Sequence, residues 1–512
     1  MSGIVLSAAV RQNLLSLQST ASLLATTQND LATGNKVNTA LDNPTEFFTA
    51  QGLNNRASDI SNLLDSIGNG VQVLQAANTG ITSLQSLIAD AQSIANQVLQ
   101  TSVGYSTKSN VTSTAIAGAT ANNLLGPGTS GSVTAGAFTT VNLGAGSVNF
   151  TVNVDGAGAK TITLSSATVA AYNTANDASL NANSLSANDV ANITNFQFGS
   201  TVASVSAGKL VFTSGTTGAT STVATTAEVV AGGATGSTGV AATNGAGTNP
   251  ALAGETLTIN PTTTSGTTAT NITFGTAAGE VSTLNELNAA LAANDLQASI
   301  STTGQINIVT SDDAASSTIG TIGGTATVFA AGAGPAPVAD PTSQATRANL
   351  VTQYNNVLQQ INTTSQDSSF NGINLLNGDT LNLTFDETGA SKLAITGVTF
   401  NDAGLGLSTL RSGTDFLDSN SANAVLSQLT AADTTLRGEA SALGSNLSIV
   451  EIRQDFNKNL INVLQTGASN LTLADSNEEA ANSQALSTRQ SIAVSALALA
   501  NQSQQSVLQL LR

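Results

Sequence analysis

Val10-Arg11-Gln12-Asn13-Leu14-Leu15-Ser16-Leu17-Gln18-Ser19-Thr20-Ala21-Ser22-Leu23-Leu24 lies near one end of the chain. Leu497-Ala498-Leu499-Ala500-Asn501-Gln502-Ser503-Gln504-Gln505-Ser506-Val507 lies near the other. In the first segment Val10, Leu14, Leu17, Ala21, Leu24 and Leu31 recur at alternating steps of four and three, with Gln28 in register. In the second, Leu486, Ala493, Leu497, Ala500, Val507 and Leu511 follow the same rule, with Gln490 and Gln504 in register. Such spacing draws a narrow apolar seam along an α-helix, the pattern of a helix that packs on another helix. Short seams of this kind do not hold a helix by themselves in water. Two of them at opposite ends of the sequence predict that the ends of the chain meet and that everything between is looped outward.

Composition narrows the function. The chain has 512 residues, of which 9% are charged, against about 25% in ordinary soluble proteins, and 3% are aromatic. The formal net charge of −17, with no cluster of Lys and Arg, argues against nucleic acid or an anionic membrane as partner. Cysteine and histidine are both absent. That removes disulfides, thiol nucleophiles, Cys/His zinc sites and imidazole acid–base chemistry. Met1-Ser2-Gly3-Ile4-Val5-Leu6-Ser7 has neither a basic stretch nor a sustained apolar run, so no cleaved signal peptide is expected.

Inward from the first seam, Gly34 is a fitting helix terminator. Asn43-Pro44-Thr45-Glu46 then opens a second helix, with Asn43 as cap and Glu46 placed for a capping box. From Ile60 to Val98 the apolar residues Ile67, Leu74, Ile81, Leu84, Ile88 and Ala95 keep one register, interrupted at Gly70, which predicts a rod roughly 80 Å long. Composition shifts near Thr101 to Gly, Thr, Ser and Ala with short alternating strands. Val148, Phe150 and Val152, a turn at Asp155-Gly156, and Ile162 and Leu164 predict a hairpin. Ala203-Ser204-Val205-Ser206-Ala207-Gly208 and Ala298-Ser299-Ile300-Ser301-Thr302-Thr303-Gly304 resemble each other. Each follows a strand signal and a helix-like stretch, near 178–190 and 282–293, which predicts two β-α-β-β repeats. Gly334-Pro335-Ala336-Pro337 closes this insertion. A helix, a hairpin and a second long helix follow from Leu350 onward. That helix is read through Val425, Leu429, Leu436, Leu443, Val450, Phe456 and Val463 with one slip of register. The fold class expected is thus mainly α at both ends, with long antiparallel coiled-coil helices and a β-rich α+β insertion nested between them.

Three stretches carry a family resemblance. Leu31-Ala32-Thr33-Gly34-Asn35-Lys36-Val37-Asn38-Thr39-Ala40-Leu41-Asp42 resembles the loop between the first two helices of bacterial flagellins. Phe370-Asn371-Gly372-Ile373-Asn374-Leu375-Leu376-Asn377-Gly378 is similar to the flagellin hairpin after the third helix. Val507-Leu508-Gln509-Leu510-Leu511-Arg512 is similar to the flagellin C-terminus. The resemblance spans about the first hundred and the last hundred and seventy residues.

It implies a structural subunit of the bacterial flagellar filament that self-assembles into a helical tube for swimming. Residues 1–43 and 475–512 would form the two halves of the inner filament core, 44–105 and 341–474 the halves of the spoke, and 106–340 an exposed variable insertion. The assembly seams would hold Val10, Leu14, Leu17, Leu24, Leu31, Leu486, Leu497, Val507 and Leu511. Implied partners are further copies of the chain, a flagellar export chaperone, and the filament cap and junction proteins. The implied location is extracellular, reached through the flagellar type III channel. The resemblance also places an innate-receptor patch, arginine-bearing in flagellins that the vertebrate receptor detects, at Asp90 and Gln92 here.

Other readings compete with this one. Asp312-Asp313 and Asp386-Glu387 are acidic pairs of the kind that bind calcium, yet calcium needs six to eight oxygens, and acidic pairs in turns are ordinarily solvated. Asp475, Glu478 and Glu479 fit a helix start better than a catalytic pair. A hook–filament junction protein shares the nested helix plan, but the ending from Val507 to Arg512 favours flagellin. A metallopeptidase insertion would need a His-Glu-x-x-His helix, and the chain has no histidine. No catalytic residue, metal or cofactor is expected.

Overall fold

The computed structural model describes residues 8–262 and 268–510, and the side chains of 507–510 lie outside that description. Among the described residues eight α-helices follow in chain order. They are α1 (Ala8–Thr33), α2 (Pro44–Gln100), α3 (Ser166–Asn176), α4 (Ala187–Phe198), α5 (Leu284–Leu291), α6 (Pro341–Asp367), α7 (Ser419–Thr472) and α8 (Ser476–Leu510). The chain divides into two compact units. One draws on the chain up to Ser93, on Gln353–Thr409 and on the chain from Leu426 onward; the other holds Ile94–Thr352 and Leu410–Val425. Among the described residues no helix is long and apolar enough to cross a membrane.

The first unit is the nested helical part. Gly34, at φ 71°, takes the left-handed conformation that ends α1. Asn43 Oδ1 accepts from the Glu46 amide at 3.2 Å and caps α2. Glu46 does not close a capping box; its carboxylate turns toward Lys36 at 3.9 Å. Ile60, Ile67, Leu74, Ala77, Ile81, Leu84 and Ile88 are buried along one face of α2. Leu53 of α2 reaches toward Gly467 of α7, Ala57 and Ile60 pack with Leu464, and Gly68 faces Gln454. Positions rising on one helix meet positions falling on the other, so α2 and α7 run antiparallel.

The register of α7 does not slip. Val450, Asn457 and Leu464 continue the inward line at a constant step of seven, with Ala468 beyond. Asn457 is tolerated there because its side chain donates to the Phe385 carbonyl of the hairpin at 2.9 Å. Phe456 and Val463, expected inside, point out instead. Gly70 is not a flaw in the α2 stripe either. A side chain there would run into Leu383 at 2.5 Å, so glycine is what lets the hairpin strand Thr380–Thr384 lie against the helix.

The 370–378 segment is held by one side chain. Asn374 Nδ2 donates to the Ser365 and Gln366 carbonyls at 2.8 and 2.9 Å, and its Oδ1 accepts from Leu376 at 2.9 Å. That closes the open carbonyls at the end of α6 and sets Leu375 and Leu376 into the core.

The second unit contains two apolar cores. One gathers Val148, Phe150, Ile162, Leu164, Val190, Leu210 and Phe212; the other gathers Leu257, Ile259, Phe274, Leu287, Leu291, Ile306 and Ile308. The second copy takes the order strand, helix, two strands, with Thr270–Thr273, α5, Leu296–Ile300 and Ile306–Thr310; the first copy, Lys160–Ser165, α4, Ala203–Ser206 and Lys209–Thr213, has the additional helix α3 between its strand and α4. In the first copy the hairpin pairs with strand Ser132–Thr134, while Lys160–Ser165 pairs with Ser147–Val154, so the repeat is not one continuous sheet. Residues 178–186, expected within a helix, are not helical. Asp177 ends α3 in the left-handed conformation, and Ser186 opens α4 with a capping box to Asp189. Chain entry and exit are tied together where Tyr105–Thr107 pairs with Val338–Ala339.

Candidate assembly surface

The two ends of the chain lie side by side: α1 packs along α8, and the segments beside them are clasped by backbone bonds. The Lys36 amide donates to the Thr472 carbonyl at 2.7 Å, and the Ala474 amide donates to the Gly34 carbonyl at 3.0 Å. Because α1 ends where α8 begins, the two helices run antiparallel. Asp42 fixes the turn on the α1 side, its Oδ2 accepting from the Thr39 and Asn38 amides at 2.7 and 2.9 Å. Those two amides hold its carboxyl below the usual carboxylate range. Asp30, buried near by, is shifted the other way, by desolvation first and then by the charge of Asp42. On the α8 side Asp475 Oδ1 accepts from the Asn477 and Glu478 amides at 2.9 and 3.3 Å, as a cap and not a catalytic carboxylate.

The inner face of this pair mixes apolar and polar side chains. On α1 it carries Val10, Thr20, Thr27 and Asp30, with Asn13, Leu17 and Leu24 half-buried. On α8 the half-buried line is Ser483, Leu486, Gln490, Ala493, Leu497, Ala500 and Gln504. Val10, Leu17, Leu24, Leu486 and Leu497 are therefore brought together. Leu14 and Leu31 are not: they stand 45% and 41% exposed on the outer flank of α1. The inward line of α1 keeps Val10, Leu17 and Leu24 but fills the places between them from the other side, with Asn13, Thr20 and Thr27. Thr20 satisfies its hydroxyl by donating to the Ser16 carbonyl at 2.8 Å. The side chain of Val507 and all of Leu511 lie outside the described residues. Leu15 and Leu23 of α1, with Ile492, Val494 and Leu499 of α8, are exposed as well. Apolar side chains therefore lie on the outer flanks of the pair as well as on its inner line, more than a helical hairpin built to stay in water would expose.

On α2, Asp90 is exposed and Gln92 half-buried, beside buried Ile88 and Ala91. The acidic pairs weighed as calcium ligands are engaged locally. Asp312 accepts from Lys108 Nζ at 2.9 Å, Asp386 from the Ser391 amide at 2.8 Å, and Glu387 pairs with Arg56. Among the described residues no group of three or more His, Cys, Asp or Glu side chains is placed to hold a metal ion.

Residues 426–511 match the model of the bacterial flagellin C-terminal helical region. Flagellin FljM and Flagellin FljK of Caulobacter vibrioides are each 30% identical to the chain over 164 residues, 32% of this chain and 59% of theirs. Flagellin A of Rhizobium meliloti is 37% identical over 90 residues, 18% of this chain and 23% of its own. Over these stretches the chain is similar to bacterial flagellins. It spans less than two thirds of the length of the Caulobacter relatives. None of these likenesses favours a hook–filament junction protein.

The matched region carries a surface that periodicity misread. Ile449, Ile452, Phe456 and Val463 form an exposed ridge along α7, with Phe456 55% and Val463 66% exposed. The signal was present in the sequence, since Asn457 and Leu464 continue the line from Val450. It was hidden because an asparagine in a core line reads as a break, and its partner, the Phe385 carbonyl, comes from a strand far along the chain.

Proposed function

We propose that this protein is a flagellin, the structural subunit of a flagellar filament, self-assembling into a helical tube outside the cell. The observation that carries the reading is the set of exposed leucines and isoleucine on the α1/α8 pair. Burying each exposed leucine against a neighbouring copy would contribute about 1.5–3 kcal/mol. Among the described residues of a single chain, Leu15, Leu23, Ile492 and Leu499 stay exposed; a heterologous, repeating contact would cover them and propagate without closing.

In this proposal residues 1–43 and 475–512 form the inner core of the tube, 44–105 and 341–474 the spoke, and 106–340 the outer decoration. The subunit acts without catalytic residues. It meets an export chaperone on its way through the flagellar type III channel, then the junction and cap proteins at the two ends of the filament. The test is electron microscopy of purified, salt-seeded protein. Long filaments are expected; short caps or unassembled chains would overturn the reading.

A further inference from the structure

Four Asn-Gly steps occur in the chain, at 69–70, 244–245, 371–372 and 377–378. Their surroundings differ. Asn69-Gly70 lies inside α2, where backbone amides belong to the helical ladder. Asn244-Gly245 lies in strand Thr243–Ala246 with Gly245 opposite Val223, and a side chain on Gly245 would strike the Ser132 backbone. Asn377 is bridged to Thr399, and its amide donates to the Asn374 carbonyl at 3.1 Å. Asn371 and Gly372 are instead the two central residues of a tight turn, left-handed at φ 50° and 81°, closed by reciprocal Phe370–Ile373 backbone bonds of 3.0 Å each. Both are exposed, the Gly372 amide donates to no group among the described residues, and nothing stands within 4 Å of the place a Gly372 side chain would take.

We propose that Asn371 is a site of spontaneous deamidation, with water as the co-reactant. The Gly372 backbone nitrogen attacks Asn371 Cγ, forming a C–N bond. The Cγ–Nδ2 bond breaks, and ammonia leaves with the proton from the Gly372 amide. The five-membered imide that results is opened by water at either carbonyl. Opening at one gives aspartate; opening at the other gives an isoaspartyl link, in which the main chain runs through the former side chain. No electron is gained or lost. Glycine is what makes the attack accessible, because it puts no Cβ beside the nitrogen and adopts positive φ without strain.

The consequence is local. Asn371 lines a groove of about 340 Å³ with Leu63, Ser66, Asn69, Val73 and Leu383, so the reaction sets a new negative charge into a groove of mixed polar and apolar lining. The isoaspartyl product also lengthens a turn whose two Phe370–Ile373 bonds fit two residues between them.

The test is incubation of the full-length protein in mildly alkaline buffer, followed by peptide mass spectrometry and isoaspartyl-specific methylation. In the native protein Asn371 is expected to react at least about tenfold faster than Asn69 or Asn244, whose amides must first open from helix or strand. In denaturant the four steps should converge. Asn371→Gln should remove the early product and leave the circular dichroism unchanged. Native reaction at Asn371 no faster than at Asn69 would overturn the proposal, as would an early isoaspartyl signal that survives in Asn371→Gln.

Discussion

Arg347 Nη2 donates to the Val98 carbonyl at 3.1 Å, so an arginine near the start of α6 closes the far end of α2. The same guanidinium donates to the Thr101 carbonyl at 2.8 Å, to the Ser102 carbonyl at 2.7 Å and to the Phe416 carbonyl. It is 1% exposed, and burial lowers its pKa, partly offset by Asp418 and Asp312. A buried cation is tolerated here because it sits at the negative end of a helix dipole with its N–H groups bonded. It is the tie by which three separate stretches of the second unit are held at one point.

Arg347→Ala should therefore destabilise the second unit by about 3–5 kcal/mol, because four carbonyls lose a partner in the dry interior. Arg347→Lys should recover little of this, since an ammonium cannot fork between α2 and Phe416. Denaturant unfolding, with hydrogen exchange read at 98–104, checks both.

Asn195 and Asn288 are structural equivalents in the two repeats. Asn195 Oδ1 accepts from the Ala203 amide at 2.7 Å and its Nδ2 donates back at 2.8 Å; Asn288 does the same with Ala298 at 2.6 and 3.2 Å. Each alanine substitution should cost about 1–3 kcal/mol by leaving strand groups unpaired. The two losses should add, because they fall in separate cores. Strong coupling between them in a double-mutant cycle would contradict that.

Assembly and folding should separate. Leu17→Asp or Leu497→Asp, at the α1/α8 seam, and Phe456→Asp, on the exposed ridge of α7, are each expected to abolish filaments. The thermal transition of the β-rich insertion should stay where it was. Sedimentation of seeded protein and circular dichroism give the two readouts, and filaments of normal length from Phe456→Asp would remove the ridge from the assembly surface.

The resemblance to flagellins would place Asp90 and Gln92 at positions that carry arginines in those detected by the vertebrate innate receptor, where an acid would both remove N–H donors and repel acidic partners. The monomer should activate that receptor far less than an arginine-bearing flagellin. Asp90→Arg combined with Gln92→Arg should restore part of the response in reporter cells.

Tyr354 is fully buried, and its hydroxyl is pushed up to about 12, by desolvation first and by Asp402 second. In the unfolded chain the phenol titrates near its ordinary value of about 10. Between these values the unfolded state releases a proton that the native state keeps, so stability should be full below pH 10 and fall as pH rises toward 12. Tyr354→Phe should flatten that alkaline loss, as read by tyrosinate absorbance and denaturant midpoints.

Much of this architecture was legible in the sequence because it rests on local chemistry. Gly34, Asn43, Asp475 and the Asp155-Gly156 turn act on neighbours a few residues away, so their residue types suffice to set where elements start and stop. The second stretch of α7 was less legible. Phe456 and Asn457 are adjacent, and simple hydrophobicity sends the wrong one inside.

The sequence by itself determined the nested order of helices and insertion, the long inward stripe of α2 and the repeat, since periodicity and caps are properties of a single strand of chain. Which flank of α1 faces α8, which side of α7 is left bare, and that Arg347 reaches Val98 and Phe416 were decided only by tertiary structure. A stripe has two flanks that satisfy the same period. The choice between them depends on the size and polarity of side chains brought up from hundreds of residues away.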